Sequence, residues 1–370
     1  MNVLGRDGSA DDGPAARLGT YRAADGSEGA AVGLDLDRPH AALIVGKRGY
    51  GKSHTLGVLA EGVARAAGVA PVVVDPMGEF LGLADGTVPA RVVDAPMVPA
   101  SAVPPSAWPA LFDCPATGPV GSSLWAAARE AETLDGMLAH VEGAGLDAAV
   151  RRAARNHLRL AESWDVFDPG GLRPDALLSD AATVLDCSML PDPAASALVR
   201  GVALALYETC VERRPERLPW LFVDEAHAFF DGVAAPALET VLTRGRTPGV
   251  SLVAATQRPG VLPDVAVSQS DLLVAHRLTA AADVEALAGA TPTYLTGRLR
   301  DRLPTDPGGA VVVDDATESV HGVRVRCRET PHGGADPRTS DSTDQASGRA
   351  ALQSGHSPST TGTGASQSGQ

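Results

Sequence analysis

The chain has 370 residues, 44% of them hydrophobic, and its 45 acidic against 31 basic side chains give a formal net charge of −14. That length holds one large core with an insertion, or two modest domains. The acidity excludes a surface generally coated with nucleic acid, and with only two lysines, Lys47 and Lys52, the composition fits the salt-rich cytoplasm of a halophile.

No run reaches the roughly 18–20 apolar residues of a membrane span, and the polar start lacks an apolar signal core. A cytoplasmic protein is expected. Cys114, Cys187, Cys210 and Cys327 lie far apart without metal-ligand spacing and read as isolated thiols.

Residues 1–34 read as irregular chain with short strands. "GLDLDRPHAALIVG" reads as a strand pair, and a helix from Lys52 to about Ala67 is stopped by Gly68. "APVVVDPMGEF" supplies a continuously apolar strand of the kind buried in a parallel sheet. A helical insertion covers about 108–170, carrying an arginine stripe at Arg151, Arg155 and Arg159 beside Arg152. Such a stripe suits DNA contact or a solvated face paired with acids.

Beyond it come the strand "ATVLDCS", the apolar helix "PAASALVRGVALALYETCVERR", and three short β-type runs, "LPWLFVDEAHAFF", "GVSLVAATQRPG" and "SDLLVAHRLT". "LPTDPGGAVVVDDATESVHGVRVRCRE" reads as a closing hairpin at the sheet edge. From 331 the chain is polar and of low complexity, a tail expected to be disordered. Alternating strands and helices predict an α/β fold with a mainly parallel central sheet.

Gly46-Lys47-Arg48-Gly49-Tyr50-Gly51-Lys52-Ser53 matches G-x-x-x-x-G-K-[ST] between an apolar strand and a helix, the setting a phosphate loop requires. Its glycines let backbone N–H groups converge on phosphate, and the helix N-terminus adds favourable partial charge. Lys52 suits the β- and γ-phosphates of ATP, Ser53 an Mg²⁺ ion, and His54 closes the cofactor-binding run. In "WLFVDEAH" an apolar strand ends in Asp224, placed to reach Mg²⁺ through water, and Glu225, placed to polarise the attacking water. Gln257 ends the strand "SLVAATQ" and suits a γ-phosphate sensor.

The ordered set "GKRGYGKS", "VVVDPMGEF", "LFVDEAHAFF", "TRGRTPGVSLVAATQRPG" and "DLLVAHRLT" resembles the FtsK–HerA superfamily of ring ATPases, its HerA-like branch in particular, over about Asp35–Val325. The resemblance implies a RecA-like (ASCE) P-loop NTPase domain over 35–330. It also implies ATP and Mg²⁺ as cofactors, a homo-hexamer, and work on DNA as a translocase or helicase-like motor. The alternatives are a conjugation or secretion motor for protein or nucleoprotein, and a switch of slow turnover; a nuclease or secretion partner fits either motor.

Lys52, Ser53, Asp224, Glu225 and Gln257 match the family's nucleotide site, and Asp75 and Glu79 its acidic element after the second strand. Arg277 and Arg246 (with Arg244) stand where such rings place arginines that reach a neighbour's γ-phosphate. The sequence departs from the pattern in two places. Only about 45 residues precede the phosphate loop, too few for the usual N-terminal barrel, and Tyr50 replaces the commoner serine.

Overall fold

The computed structural model describes residues 1–6, 13–23, 25–289 and 299–333. The N-terminal segment is where expectation and structure part. Instead of standing outside the ATPase core, it supplies β1 (Asn2–Leu4), β2 (Ala15–Arg22) and β3 (Glu28–Asp35) to the same sheet. The alternation of β2 and β3 is irregular because bulges shift their register, which hides strands from a period-two reading.

The chain then runs through β4 (Ala41–Val45), α1 (Lys52–Arg65), β5 (Val69–Asp75) and β6 (Ala90–Val93). The insertion contributes α2 (Pro119–Glu130), α3 (Leu134–Gly143) and α4 (Ala148–Glu162), followed by the short α5 (Pro174–Leu177). Next come β7 (Ala182–Asp186), α6 (Asp192–Glu212), β8 (Leu218–Val223), α7 (Ala235–Arg244) and β9 (Ser251–Thr256). After α8 (Asp264–Ser268), β10 (Leu272–Ala275), α9 (Ala281–Gly289) and α10 (Leu299–Arg302), the hairpin of β11 (Gly309–Asp314) and β12 (Ser319–Val325) is the last regular structure among the described residues.

The sheet order is β1-β3-β2-β12-β11-β10-β4-β9-β8-β5-β7-β6. From β10 to β6 every neighbouring pair is parallel. The hairpin forms as expected but does not close the sheet: β2 pairs with β12 and carries β3 and β1 beyond it.

Strands in the parallel half alternate between two cores. Leu43 and Val45 face the insertion and α6, whereas Ala42 and Ile44 face α1. Burial on both faces explains why these strands are apolar throughout. Helix α6 is long and apolar enough to cross a membrane, yet 67% of its apolar window is buried inside the fold. All four cysteines are free, and burial pushes the thiols of Cys187 and Cys210 up to about 12 and about 11.

The insertion's arginines serve the fold. Arg151 donates to the carbonyls of Ala144 and Leu146, at 2.9 and 3.1 Å. Arg155 pairs with Glu142 and Arg159 with Glu162. The first two arginines tie α4 to the preceding loop and to α3, and the third pairs two residues of α4 itself.

At the opposite end of β4 from the phosphate loop, His40 is buried between two carboxylates. Its Nδ1 lies 2.8 Å from Asp271, and its Nε2 3.7 Å from Asp35, which Arg6 also holds. Burial alone would lower the His40 pKa, but Asp271 and Asp35 raise it above its ordinary 6.5. The folded state therefore binds this proton more tightly than the unfolded chain. The stabilisation is complete below about pH 6.5 and is lost as pH rises through the raised value. Denaturant midpoints measured upward from pH 6 should fall more steeply for the unaltered protein than for His40→Gln. Equal slopes would show that this cluster is not coupled to folding.

Candidate active site

Parallel register decides which strand tips meet. Val45 pairs with Thr256 on one side and Ala275 on the other, so Gly46 is flanked by Gln257 and His276. Val223 pairs with Ala254 and Val74, which sets Asp224 beside the end of β9 and Asp75 beyond it. The phosphate-loop strand and the strand bearing Asp224 are thus separated by one strand, β9, whose tip carries Gln257.

The loop is tied at several points. The Lys47 N–H donates to the Arg277 carbonyl at 2.8 Å, Tyr50 N–H to Lys47 at 3.3 Å, and Thr55 N–H to Gly51 at 2.8 Å. Gly51, at φ 113°, is the N-cap of α1 and offers no side chain to its first turn. The first-turn N–H groups therefore remain available to an anion. Lys52 is buried at 5% exposure; Ser53 and His54 are half-buried; Lys47, Arg48 and Gly49 are exposed.

Beneath the loop sits a residue that sequence reasoning passed over. His276 is fully buried, its Nδ1 2.7 Å from the Gly309 carbonyl and its Nε2 2.9 Å from Thr55 Oγ1. A carbonyl only accepts, so Nδ1 carries the proton and Nε2 accepts from Thr55. Burial pushes the ring's pKa down to about 4, with the charge of Lys52 acting in the same direction. A Cβ on Gly46 would come within 2.6 Å of His276 Cβ, so glycine is required there. The sequence signal is a polar residue closing the apolar run "LLVA", immediately before Arg277.

At the tip of β8, burial pushes the Asp224 carboxyl up to about 7, and the charges of Glu225 and Glu79 add to this. The neighbouring Ser53 hydroxyl and the Glu225 N–H, which donates to Asp224 Oδ1 at 2.9 Å, oppose the shift. Asp224 Oδ2 is buried without a hydrogen-bond partner. A hydroxyl and an under-satisfied carboxylate side by side are a donor set that fits Mg²⁺ shared with phosphate oxygens and water.

Glu225 adopts the left-handed region, φ 46° and ψ 41°, which costs a non-glycine residue of order 1 kcal/mol or more. The turn breaks β8 and frees the Glu225 side chain from the strand's alternation. His227 Nδ1 lies 3.3 Å from Glu225 Oε2 and 3.3 Å from Thr256 Oγ1, linking the carboxylate to the β9 tip. No local pattern marks His227 for this position.

Asp75 is structural. Its carboxylate accepts the N–H groups of Met77, Glu79 and Phe80, at 3.3, 3.0 and 2.8 Å, and shapes the "DPMGE" loop. Glu79, which this loop holds in place, is the member whose charge reaches Asp224.

The two arginine candidates separate. Arg277 lies in this chain's own site, donating to the Thr305 carbonyl at 2.8 Å and covering the Tyr50 ring at 5.4 Å. Lys47 covers the same ring at 5.2 Å, so Tyr50 is flanked by two cations. Arg246 is exposed and lies between α7 and the start of β9, at the far end of that strand from Gln257. Six strand residues at about 3.3 Å each put roughly 20 Å between them.

A family model for the central domain of the helicase HerA matches residues 17–104. The structure of VirB4 from Thermoanaerobacter pseudethanolicus superposes with a TM-score of 0.63 at 17% identity, covering 86% of this chain and 98% of that one. The fold is that of the RecA-like P-loop ATPases. The bacterial conjugative coupling protein TrwB, solved in complex with ADP and Mg²⁺, gives 0.57 at 18% identity over 88% of this chain and 98% of its own. No curated protein sequence matches significantly.

The match to the HerA domain begins within β2, so that strand falls inside the family's domain, not before it. In this core, Gly46–His54, Asp224, Glu225, Gln257 and Arg277 lie together at the C-terminal ends of the parallel strands, and Arg246 does not.

Proposed function

We propose that the chain is an Mg²⁺-dependent, ATP-hydrolysing ring motor that acts on DNA. The observation that carries this reading is the buried, unpartnered Asp224 Oδ2 at the tip of β8, beside a Glu225 turned out of its strand by a left-handed backbone. Lys52 and the first turn of α1 would bind the phosphates of ATP. Ser53 and Asp224 would hold Mg²⁺, which supplies charge neutralisation at the phosphates. Glu225 would take a proton from the attacking water, and Gln257 would orient that water against the γ-phosphate.

Lys52→Ala is expected to lower ATP hydrolysis by at least about a hundredfold, because a donor aimed at developing charge is removed from a water-poor site. Turnover measured with and without duplex DNA at high salt, alongside the native mass, tests the motor assignment. A monomer indifferent to DNA would overturn it.

A second reading, a motor for protein or nucleoprotein transfer, is favoured by the fold likeness to VirB4 and TrwB and by the internal engagement of the α4 arginines. It predicts full ATPase activity that duplex DNA leaves unchanged, in an assembled ring.

A further inference from the structure

After β12 the chain does not leave the domain. Residues 326–333 run back across α1, and their anchor is a buried carboxylate. Glu61, fully enclosed on α1, accepts the N–H groups of Glu329 and Thr330, each at 2.9 Å, and the Thr330 hydroxyl at 2.7 Å. Arg326 pairs with the same carboxylate at 2.7 Å. Arg328 lies over the Phe80 ring and donates to the Glu79 carbonyl. Burial would raise the Glu61 pKa, yet the Thr330 bonds and Arg326 hold it below its ordinary value, so the anchor stays charged.

The segment ends at the nucleotide site. The Gly333 N–H approaches the Glu79 carbonyl at 3.4 Å. The exposed His332 ring faces that of His54, with 25° between the planes and 6.3 Å between centroids. His54 is held in turn by the Arg326 carbonyl, 2.8 Å from its Nε2. The first three residues assigned to a disordered tail are therefore seated on the domain; residues 334–370 lie outside the described residues.

At 6.3 Å the two rings stand near the outer limit of about 7 Å for direct ring contact. With terminal phosphates at Lys52 and Ser53, as proposed above, the residue that follows along α1, His54, would stand towards the nucleoside end. We propose that residues 326–333 form a wall of the nucleotide pocket, on which His332, together with His54, stacks the base of the bound nucleotide. This rests on the reading of Gly46–Ser53 as a nucleoside triphosphate site. Stacking uses the π-face that every base presents, so the wall grips the base without reading its edge.

Calorimetric titration of the full chain with ATP and with inorganic tripolyphosphate, which has no base, tests the proposal. His332→Ala should weaken ATP roughly tenfold and leave tripolyphosphate unchanged, and His332→Phe should retain ATP affinity, as expected for loss and retention of one base stack. Normal ATP affinity in His332→Ala overturns the wall. So does an equal loss for ATP and tripolyphosphate, which would place His332 at the phosphates. Failure of the unaltered protein to bind either ligand would overturn the phosphate-loop reading itself, and the wall with it.

Discussion

Glu225→Gln is expected to leave ATP bound and to slow its hydrolysis by roughly two to four orders of magnitude, the range for loss of a general base. The substitution keeps the size of the side chain and the backbone turn while removing the basic oxygen. Asp224 and Ser53 stay in place, so binding should survive, and the variant should trap a nucleotide-loaded state. Equilibrium binding and single-turnover hydrolysis, measured on the same preparation, separate the two effects. Near-normal turnover in Glu225→Gln would remove Glu225 as the base and leave its left-handed backbone without a catalytic purpose.

Arg246→Ala is expected to cost about three to five orders of magnitude in turnover, the contribution of an arginine supplied to a transferring phosphoryl group. Its position makes the prediction specific. Arg246 stands at the start of β9 and Gln257 at its end, so its own site is out of reach of an arginine side chain. Only a second copy could receive it.

Mixing tests that geometry directly. Arg246→Ala protomers keep an intact Glu225, and Glu225→Gln protomers keep an intact Arg246, so co-assembly of two inactive proteins should restore hydrolysis at shared interfaces. A mixture as inactive as its parts, or an Arg246→Ala protein with normal turnover, sinks the assignment. Arg277 should behave differently. It packs on Tyr50 and the Thr305 carbonyl in its own chain, so its loss should disturb nucleotide binding without being rescued by a partner.

What the sequence determined by itself is the local chemistry. Glycine spacing around Lys52 and Ser53, an apolar strand ending in Asp224 and Glu225, and Gln257 after the next strand are short-range patterns, because each follows from a single strand–turn step. The parallel half of the sheet was legible for the same reason: strands buried on both faces leave continuous apolar runs. The N-terminal strands were not, since bulges break their alternation and their partner, β12, lies some 300 residues away in the chain.

Tertiary structure alone decided the rest. Whether Arg277 or Arg246 faces its own site depends on which end of which strand each occupies, and no local pattern carries that. His276 matters because register brings it under Gly46, and Glu61 because the chain returns across α1 more than 260 residues later. These are long-range juxtapositions of buried polar groups. Burial leaves each of them bound to find a partner, but the sequence does not say which partner the fold will bring.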